Sequence, residues 1–190
     1  MTQYATEKSL EGFCTFKTIR AIDDEKSFKL SLEIQKGALK RHNVSYVSSA
    51  DESKLNLNGV YLILLVDSCN KIRGCIRVHL NLEGIELPSY IAIGAQSELF
   101  TKKILGCPHG SLAEVSSLAI SEELTGQSYG FKLIKMATEL SFSLGVETAF
   151  GLVPRHTRKY FINLGYVPDE VIPPVVYPEG YLSQVVWKGV

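Results

Sequence analysis

Hydrophobic and polar residues follow two patterns along the chain, one typical of strands and the other of helices. Apolar runs, or strict alternation of apolar and polar residues, predict β-strands, whereas apolar residues three or four positions apart predict one face of an α-helix. Strands are therefore predicted at residues 14–20, 60–66, 72–80, 112–120, 148–153 and 181–187. Helices are predicted from the N-caps Asp23 and Asp24 to about Leu39, at 128–144 and at 155–164, with a possible helix at 95–105.

A hairpin is predicted around the polar residues Ser68, Asn70 and Lys71, which separate two apolar strands. In the second strand every other residue from position 72 to position 80 is apolar or glycine and faces one way. Arg77 and His79 face the other way. This alternation predicts a strand with one core face and one polar face.

The order of the elements predicts the fold class. Strands alternate with helices in the second half of the chain, which is typical of an α/β arrangement with a central mixed sheet and helices on both faces. The strands at 112–120 and 148–153 are separated by a helix, so they need a crossover and should lie parallel. With no repeat and no linker composition, we expect a single domain over residues 1–190.

Composition narrows the possible partners and locations. Twenty Lys and Arg residues balance twenty Asp and Glu residues, so no overall field recruits nucleic acid or an anionic membrane. The longest apolar run is far shorter than the about 20 residues that cross a bilayer, and the first residues lack a signal-peptide core, so we expect a cytoplasmic protein. The cysteines Cys14, Cys69, Cys75 and Cys107 lack metal-ligand spacing, which predicts reduced thiols and no metal site.

The stretch LTGQSYGFKL, residues 124–133, joins a predicted strand to a predicted helix. Gly126, Ser128 and Gly130 are small enough for a diphosphate to approach the backbone amides at the helix N-terminus. The alternative needs no ligand: Gly126 relieves a turn, Ser128 caps the helix and Gly130 allows close packing. The stretch matches neither the GxxxxGK[ST] loop nor the GxGxxG fingerprint.

Residues 113–167 resemble the core of the GCN5-related N-acetyltransferase (GNAT) superfamily: a strand, a pyrophosphate turn, a helix, a strand and a short helix. The resemblance implies a GNAT-like acyltransferase fold, acetyl-CoA or another acyl-CoA as co-substrate, and no metal. Of the usual turn positions, which here are Thr125, Ser128 and Gly130, only the last keeps its usual residue. The coenzyme-binding residues implied by the resemblance are Leu118, Ala119, Ile120, Thr125, Gly126, Gln127, Ser128, Tyr129, Gly130, Arg155 and Arg158.

The resemblance also implies catalytic residues. Glu114 lies where the superfamily often carries an acidic general base, although it could equally be a glutamate paired with a basic neighbour. The tyrosine that usually acts as the general acid in the superfamily aligns with Phe161 here, and Tyr160 comes one position early. Tyr160, His156 or solvent could therefore protonate the leaving thiolate. Arg155 and its basic neighbours could contact phosphate or form a solvated helix face.

Two strands, GCIRVHL and AEVSSLAI, also resemble the acyl-homoserine lactone synthases and long-chain N-acyl amino acid synthases within this fold. Arg77 and Glu114 match that branch, whereas Ser117 replaces its arginine. This branch takes acyl groups from acyl carrier protein, which makes that protein a possible partner. Arg77 and His79 could bind a substrate carboxylate; alternatively, Arg77 could pair with Glu83 or Glu86.

The favoured function is an N-acyltransferase that moves an acyl group, most simply acetyl, from acyl-CoA to the amine of a small molecule or amino acid. A long-chain synthase that uses acyl carrier protein and a non-catalytic acyl-CoA-binding module are the alternatives. Residues 81–110 lack a clear period, and a long connection of this kind is often functional, so we expect it to cover the acceptor site.

Overall fold

The computed structural model describes residues 14–53 and 58–190. The strands are β1 (Thr15–Arg20), β2 (Val60–Val66), β3 (Ile72–Leu80), β4 (Leu112–Ile120), β5 (Thr148–Pro154), β6 (Val167–Pro168), β7 (Val175–Val176) and β8 (Leu182–Gly189). The helices are α1 (Glu25–Arg41), α2 (Pro88–Ile93), α3 (Glu98–Leu105), α4 (Tyr129–Ser143) and α5 (Arg155–Asn163). The elements predicted from the hydrophobic pattern are all present, while α2, β6 and β7 are too short to show a period.

The described strands form one eight-stranded sheet in the order β1-β2-β3-β4-β5-β8-β6, and β7 also pairs with β8. The strands from β1 to β4 pair antiparallel, β4 and β5 are parallel, and β5 and β8 are antiparallel. The sheet is therefore mixed, as predicted. Helix α4 provides the crossover between the two parallel strands.

Helices cover both faces of the sheet. Phe28 of α1 packs in one apolar cluster with Leu62 of β2, and Leu133 of α4 packs in another with Ile63. Successive residues of a strand point to opposite faces, so α1 and α4 lie on opposite sides of the sheet. This arrangement leaves the central strands buried on both faces.

The predicted polar face of β3 is wrong. Arg77 is 0% exposed and His79 is 1% exposed. Helix α1 lies over Arg77, whose guanidinium sits 5.1 Å from the ring centroid of Phe28 and donates a 3.3 Å hydrogen bond to the Ser31 hydroxyl. Alternating polar residues predict a solvent-exposed face of a strand only where no helix packs on that face.

Strands β4 and β5 pair only at their beginnings. The ladder joins Leu112 to Thr148 and ends where Glu114 meets Phe150. Further along β4, the register with β3 shifts by one residue, and Ser117 adopts the left-handed conformation with φ of 61°. A bulge of this kind bends the strand. The two parallel strands therefore separate after Glu114 and leave a gap inside the sheet.

The turn between β4 and α4 combines a special backbone conformation with a close approach. Gly126 has φ of 85°, a conformation that favours glycine. A Cβ on Gly130 would lie 3.4 Å from Cδ1 of Ile120, so the start of α4 packs closely on the end of β4. The Ser128 side chain makes no capping hydrogen bond. Gly126 and Gly130 therefore have the structural roles that the sequence predicts for them, whereas Ser128 lies at the N-cap position of α4 without the predicted capping bond.

Asp169 ties α3 to the final strands. Its side chain is 3% exposed and accepts hydrogen bonds from Lys103 Nζ at 2.6 Å and Trp187 Nε1 at 2.7 Å. The backbone amides of Val171 and Ile172 also donate to it, each at 2.9 Å. This carboxylate anchors the segment that follows α5 to helix α3.

No helix among residues 14–53 and 58–190 is long and apolar enough to cross a membrane. In the same part of the chain, no three His, Cys, Asp or Glu side chains are grouped so that they could hold a metal ion.

Candidate active site

A cavity of about 340 Å³ opens where β4 and β5 separate. One wall is formed by β4 from Glu114 to Ile120, and the opposite wall is formed by the end of β5 and the start of α5. The end of α1 and the loop after it close the cavity on a third side, with Leu39, Val44 and Val47. The volume lies within the range of small-molecule sites, and most of these walls are apolar.

Glu114 lies at the inner end of the cavity, where the ladder between β4 and β5 stops. Its side chain is buried, with 2% of the residue exposed. Ser89 donates to both carboxylate oxygens, from its backbone amide at 3.0 Å to Oε2 and from its hydroxyl at 2.7 Å to Oε1. Residue 89 belongs to the long connection that the sequence associates with the acceptor site. Both residues line the cavity.

Tyr177 adds a polar group at the same cavity. Its hydroxyl accepts a hydrogen bond of 2.6 Å from the Ser48 backbone amide and lies 2.8 Å from the Ser48 hydroxyl. The Ser48 hydroxyl also donates to the Pro88 carbonyl at 2.7 Å. Burial is the main cause that raises the pKa of Tyr177, so its hydroxyl stays protonated at neutral pH. Neither Ser48 nor Tyr177 could be identified from the sequence, because neither lies in a periodic element.

Tyr160 and Phe161 both line the cavity from α5. Phe161 is 4% exposed and packs edge-on against Tyr166, with ring centroids 5.0 Å apart. Tyr160 is partly buried, and Lys159 Nζ lies 5.3 Å from its ring centroid. The wide cavity admits side chains from adjacent positions of the helix, so the one-residue offset of the tyrosine does not remove it from the cavity.

Three aromatic rings that line the cavity pack against one another. His42 and His156 stack with centroids 5.5 Å apart and planes 16° apart. The Tyr181 ring packs edge-on against both imidazoles, at 6.1 Å from His42 and 5.6 Å from His156. Partial burial and then the neighbouring His42 lower the pKa of His156. The ring cluster joins α1, α5 and the chain before β8.

The implied coenzyme-binding residues divide into two groups. Those that line the cavity are Leu118, Ala119, Ile120, Thr125, Gln127 and Gly130. Those that do not are Gly126, Ser128, Tyr129, Arg155 and Arg158. Arg158 donates a 2.7 Å hydrogen bond to Oε1 of Gln184, and Arg155 is exposed.

Arg77 and His79, suggested as ligands of a substrate carboxylate, lie outside the residues that line the cavity. The Arg77 guanidinium donates to the Ser49 carbonyl and, at 3.4 Å, to the Ser117 hydroxyl. It forms an ion pair with neither Glu83 nor Glu86, which corrects that alternative. Burial lowers the pKa of Arg77. Its guanidinium supports the cavity wall from behind, through residues 49 and 117.

No protein-family model matches the chain. No curated protein matches it in sequence either.

Solved structures share its fold. An N-acyl amino acid synthase from uncultured soil microbes, FeeM, superposes with a TM-score of 0.73 at 13% identity, covering 96% of this chain and 93% of that one. Escherichia coli ElaA gives a TM-score of 0.67 at 12% identity, covering 92% and 99%. The acyl-homoserine lactone synthase LasI gives 0.62 at 16% identity, covering 93% and 89%. The GNAT-like fold predicted from residues 113–167 is confirmed.

Proposed function

We propose that this protein is an N-acyltransferase that moves an acyl group from a coenzyme A thioester to the amine of a small molecule. The observation that carries the proposal is the gap between β4 and β5, which opens directly on Glu114. Among residues 14–53 and 58–190, no strand pairs with the β5-facing edge of β4 beyond Glu114. Its backbone groups can therefore pair with an extended amide-containing chain, as a neighbouring strand would.

The reaction needs two substrates held together and one proton moved. Glu114 accepts a proton from the amine, whose nitrogen attacks the thioester carbonyl. The new C–N bond forms as the C–S bond breaks, and the leaving thiolate takes a proton from Tyr160 or from solvent. Ser89 holds both oxygens of Glu114, so the carboxylate keeps its orientation before the amine arrives.

Three features support a thioester with a phosphopantetheine arm as the donor. The cavity is deep and mainly apolar, it runs along β4, and it ends at the small-residue turn before α4. Backbone amides at the N-terminus of the 15-residue helix α4 favour an anion there. Structures of the same fold include a CoA-dependent acyl-homoserine lactone synthase with isopentyl-CoA.

A longer acyl group is the second candidate. The apolar wall formed by Leu39, Val44 and Val47 lies on α1 and its following loop, apart from the strands that would hold the arm. Burying each additional CH₂ group is worth about 0.8 kcal/mol. A donor preference that increases from acetyl to octanoyl would support this candidate, whereas a preference for acetyl would exclude it.

A thiol-release assay tests the proposal, with acyl-CoA donors from acetyl to dodecanoyl over a panel of amines and amino acids. We expect Glu114→Gln to lower kcat at least 100-fold, because general-base catalysis typically contributes that much. Glu83→Gln is the matched control, since Glu83 is exposed and lies outside the cavity. Binding of acyl-CoA without thiol release from any pair would favour the non-catalytic module instead.

A further inference from the structure

Arg41 reaches from the end of α1 to β4, a separation of 79 positions. Its guanidinium donates a 2.7 Å hydrogen bond to the backbone carbonyl of Ile120. Arg41 and Ile120 line the cavity, and so do Thr125 and Gln127 of the following turn. The cation therefore lies where β4 leaves the cavity and the chain enters the turn before α4.

The turn itself offers no positive side chain to a phosphate. Thr125 and the residues around it are uncharged, and two glutamates, Glu122 and Glu123, come just before it. Arg73 lies 3.8 Å from Glu123, but it also binds Asp67 at 2.7 Å, so its charge is already matched. A phosphate at this turn needs a cation from another element to offset the two carboxylates.

Arg41 has an unmatched charge. Its side chain is exposed, and no carboxylate in the described parts of the chain forms an ion pair with it. The dipole of α1 favours a basic residue in the last turn, which explains Lys40 and Arg41 equally. It does not explain the bond to Ile120, which fixes the exposed Arg41 guanidinium beside the cavity.

We propose that Arg41 binds the phosphate of a phosphopantetheine arm and thereby supplies, from α1, the positive charge that the turn lacks. The inference rests on the proposed function, because it requires a donor that carries this arm. A guanidinium has five N–H donors, so Arg41 can keep the Ile120 carbonyl and still donate to phosphate oxygens. Coenzyme A and acyl carrier protein carry the same phosphate group, so either could be its source.

Titration calorimetry with coenzyme A, 4′-phosphopantetheine and pantetheine tests this role without any knowledge of the acceptor. Arg41→Gln should weaken the two phosphorylated ligands about tenfold and leave pantetheine unchanged, since a charge-assisted hydrogen bond to phosphate is lost. Arg41→Lys should recover part of the loss. Lys40→Gln is the matched control, because it removes an exposed charge next to Arg41 without touching the cavity.

Several outcomes would overturn the inference. Equal weakening of pantetheine would mean that Arg41 only tethers α1 to β4, and unchanged coenzyme A affinity would mean that it binds no phosphate. Failure of all three ligands to bind the wild-type protein would also overturn it. A wild-type protein that binds coenzyme A without ever releasing thiol would refute the proposed function alone, and the comparison with Arg41→Gln would still decide the role of Arg41.

Carrier proteins identify the source of the phosphate. If an acyl carrier protein delivers the arm, Arg41→Gln should weaken binding of the phosphopantetheinylated form and leave the unmodified form unchanged. Tighter binding of coenzyme A than of the modified carrier protein would instead identify coenzyme A as the source of the phosphate. Equal effects of Arg41→Gln on both carrier forms would contradict a phosphate contact.

Discussion

Ser89 donates two hydrogen bonds to Glu114, one from its backbone amide and one from its hydroxyl, so that each carboxylate oxygen has its own donor. Residue 89 lies near the start of α2 and residue 114 lies in β4, so the pair joins the long connection to the centre of the sheet. A carboxylate that is 2% exposed needs such partners, because burying an unpaired charge is costly. The connection over residues 81–110 therefore contributes directly to the candidate active site.

Ser89→Ala should destabilise the protein and slow the reaction. The variant removes one of the two bonds that Ser89 donates to a buried carboxylate, and such a bond is worth about 1.5–3 kcal/mol. We expect a lower free energy of unfolding in urea and a roughly tenfold lower kcat with little change in KM for the acyl donor. Ser89→Thr keeps the hydroxyl and should restore kcat, whereas Ser143→Ala on the surface of α4 should change neither quantity. Loss of stability with unchanged kcat would contradict the positioning role.

The lowered pKa of Asp169 predicts that the folded protein loses stability in acid. Burial raises its pKa, but the hydrogen bonds from Lys103, from two backbone amides and from Trp187 outweigh burial and lower the pKa to about 2. The pKa is therefore lower in the folded state than the ordinary 3.8 of the unfolded chain. The resulting stabilisation, about 2 kcal/mol, is complete above pH 4 and is lost as the pH falls towards 2.

Urea unfolding of wild type and Asp169→Asn between pH 2 and pH 7 measures this contribution. We expect the difference between the two proteins to shrink as the pH falls below 4, because the wild-type carboxylate then becomes protonated. Glu170→Gln is the control, since Glu170 is exposed and next in sequence. A difference that stays constant down to pH 2 would show that the charge of Asp169 is not what stabilises this region.

The positive φ of Ser117 predicts that β-branched residues are unfavourable at position 117. With φ of 61°, a valine there would be a conformational outlier, and strain of this kind costs about 1–3 kcal/mol. Ser117→Val should therefore lower the unfolding free energy by more than Ser116→Val, which makes the same change at a position without positive φ. Equal effects of the two substitutions, measured by thermal or urea unfolding, would argue against the bulge at Ser117.

The stacking of His42 and His156 is expected to stabilise the protein in a pH-dependent way. The pKa of His156 is lowered by partial burial and by His42, so folding favours the neutral ring. This contribution to stability is complete above the unfolded pKa of about 6.5 and declines as the pH falls below it. NMR titration should show the pKa of His156 rising towards its ordinary value in His42→Phe, which keeps an aromatic ring and removes the neighbouring charge. An unchanged titration curve would mean that the charge of His42 does not contribute to the lowered pKa of His156.

The fold was predictable from sequence because its strongest signals are local. The continuous apolar run of β2 and the apolar face of α4 identify a buried strand and its covering helix without knowledge of the rest of the chain. The polar face of β3 was mispredicted for the opposite reason. Whether Arg77 is exposed depends on α1, which lies more than thirty residues earlier in the sequence, and alternation within β3 contains no information about it.

The candidate site was predictable only in part. Glu114 and the end of β4 were identified through a family resemblance, and the structure brings them to one cavity. Ser89, Arg41 and Tyr177 were missed because each reaches the cavity from a segment without a recognisable motif. Their positions are fixed by contacts across 25, 79 and 129 positions, respectively, and no local pattern encodes contacts at that separation.

In the described part of the chain, no strand pairs with β4 on its β5-facing side after Glu114, so main chain in the middle of the sheet borders the cavity. An exposed edge strand can pair with any extended chain, which promotes aggregation. The edge of β4 inside the cavity can pair only with a narrow molecule that enters lengthwise and carries peptide-like groups along its length. The opening can therefore discriminate by the shape of the entering molecule before any side chain takes part in recognition.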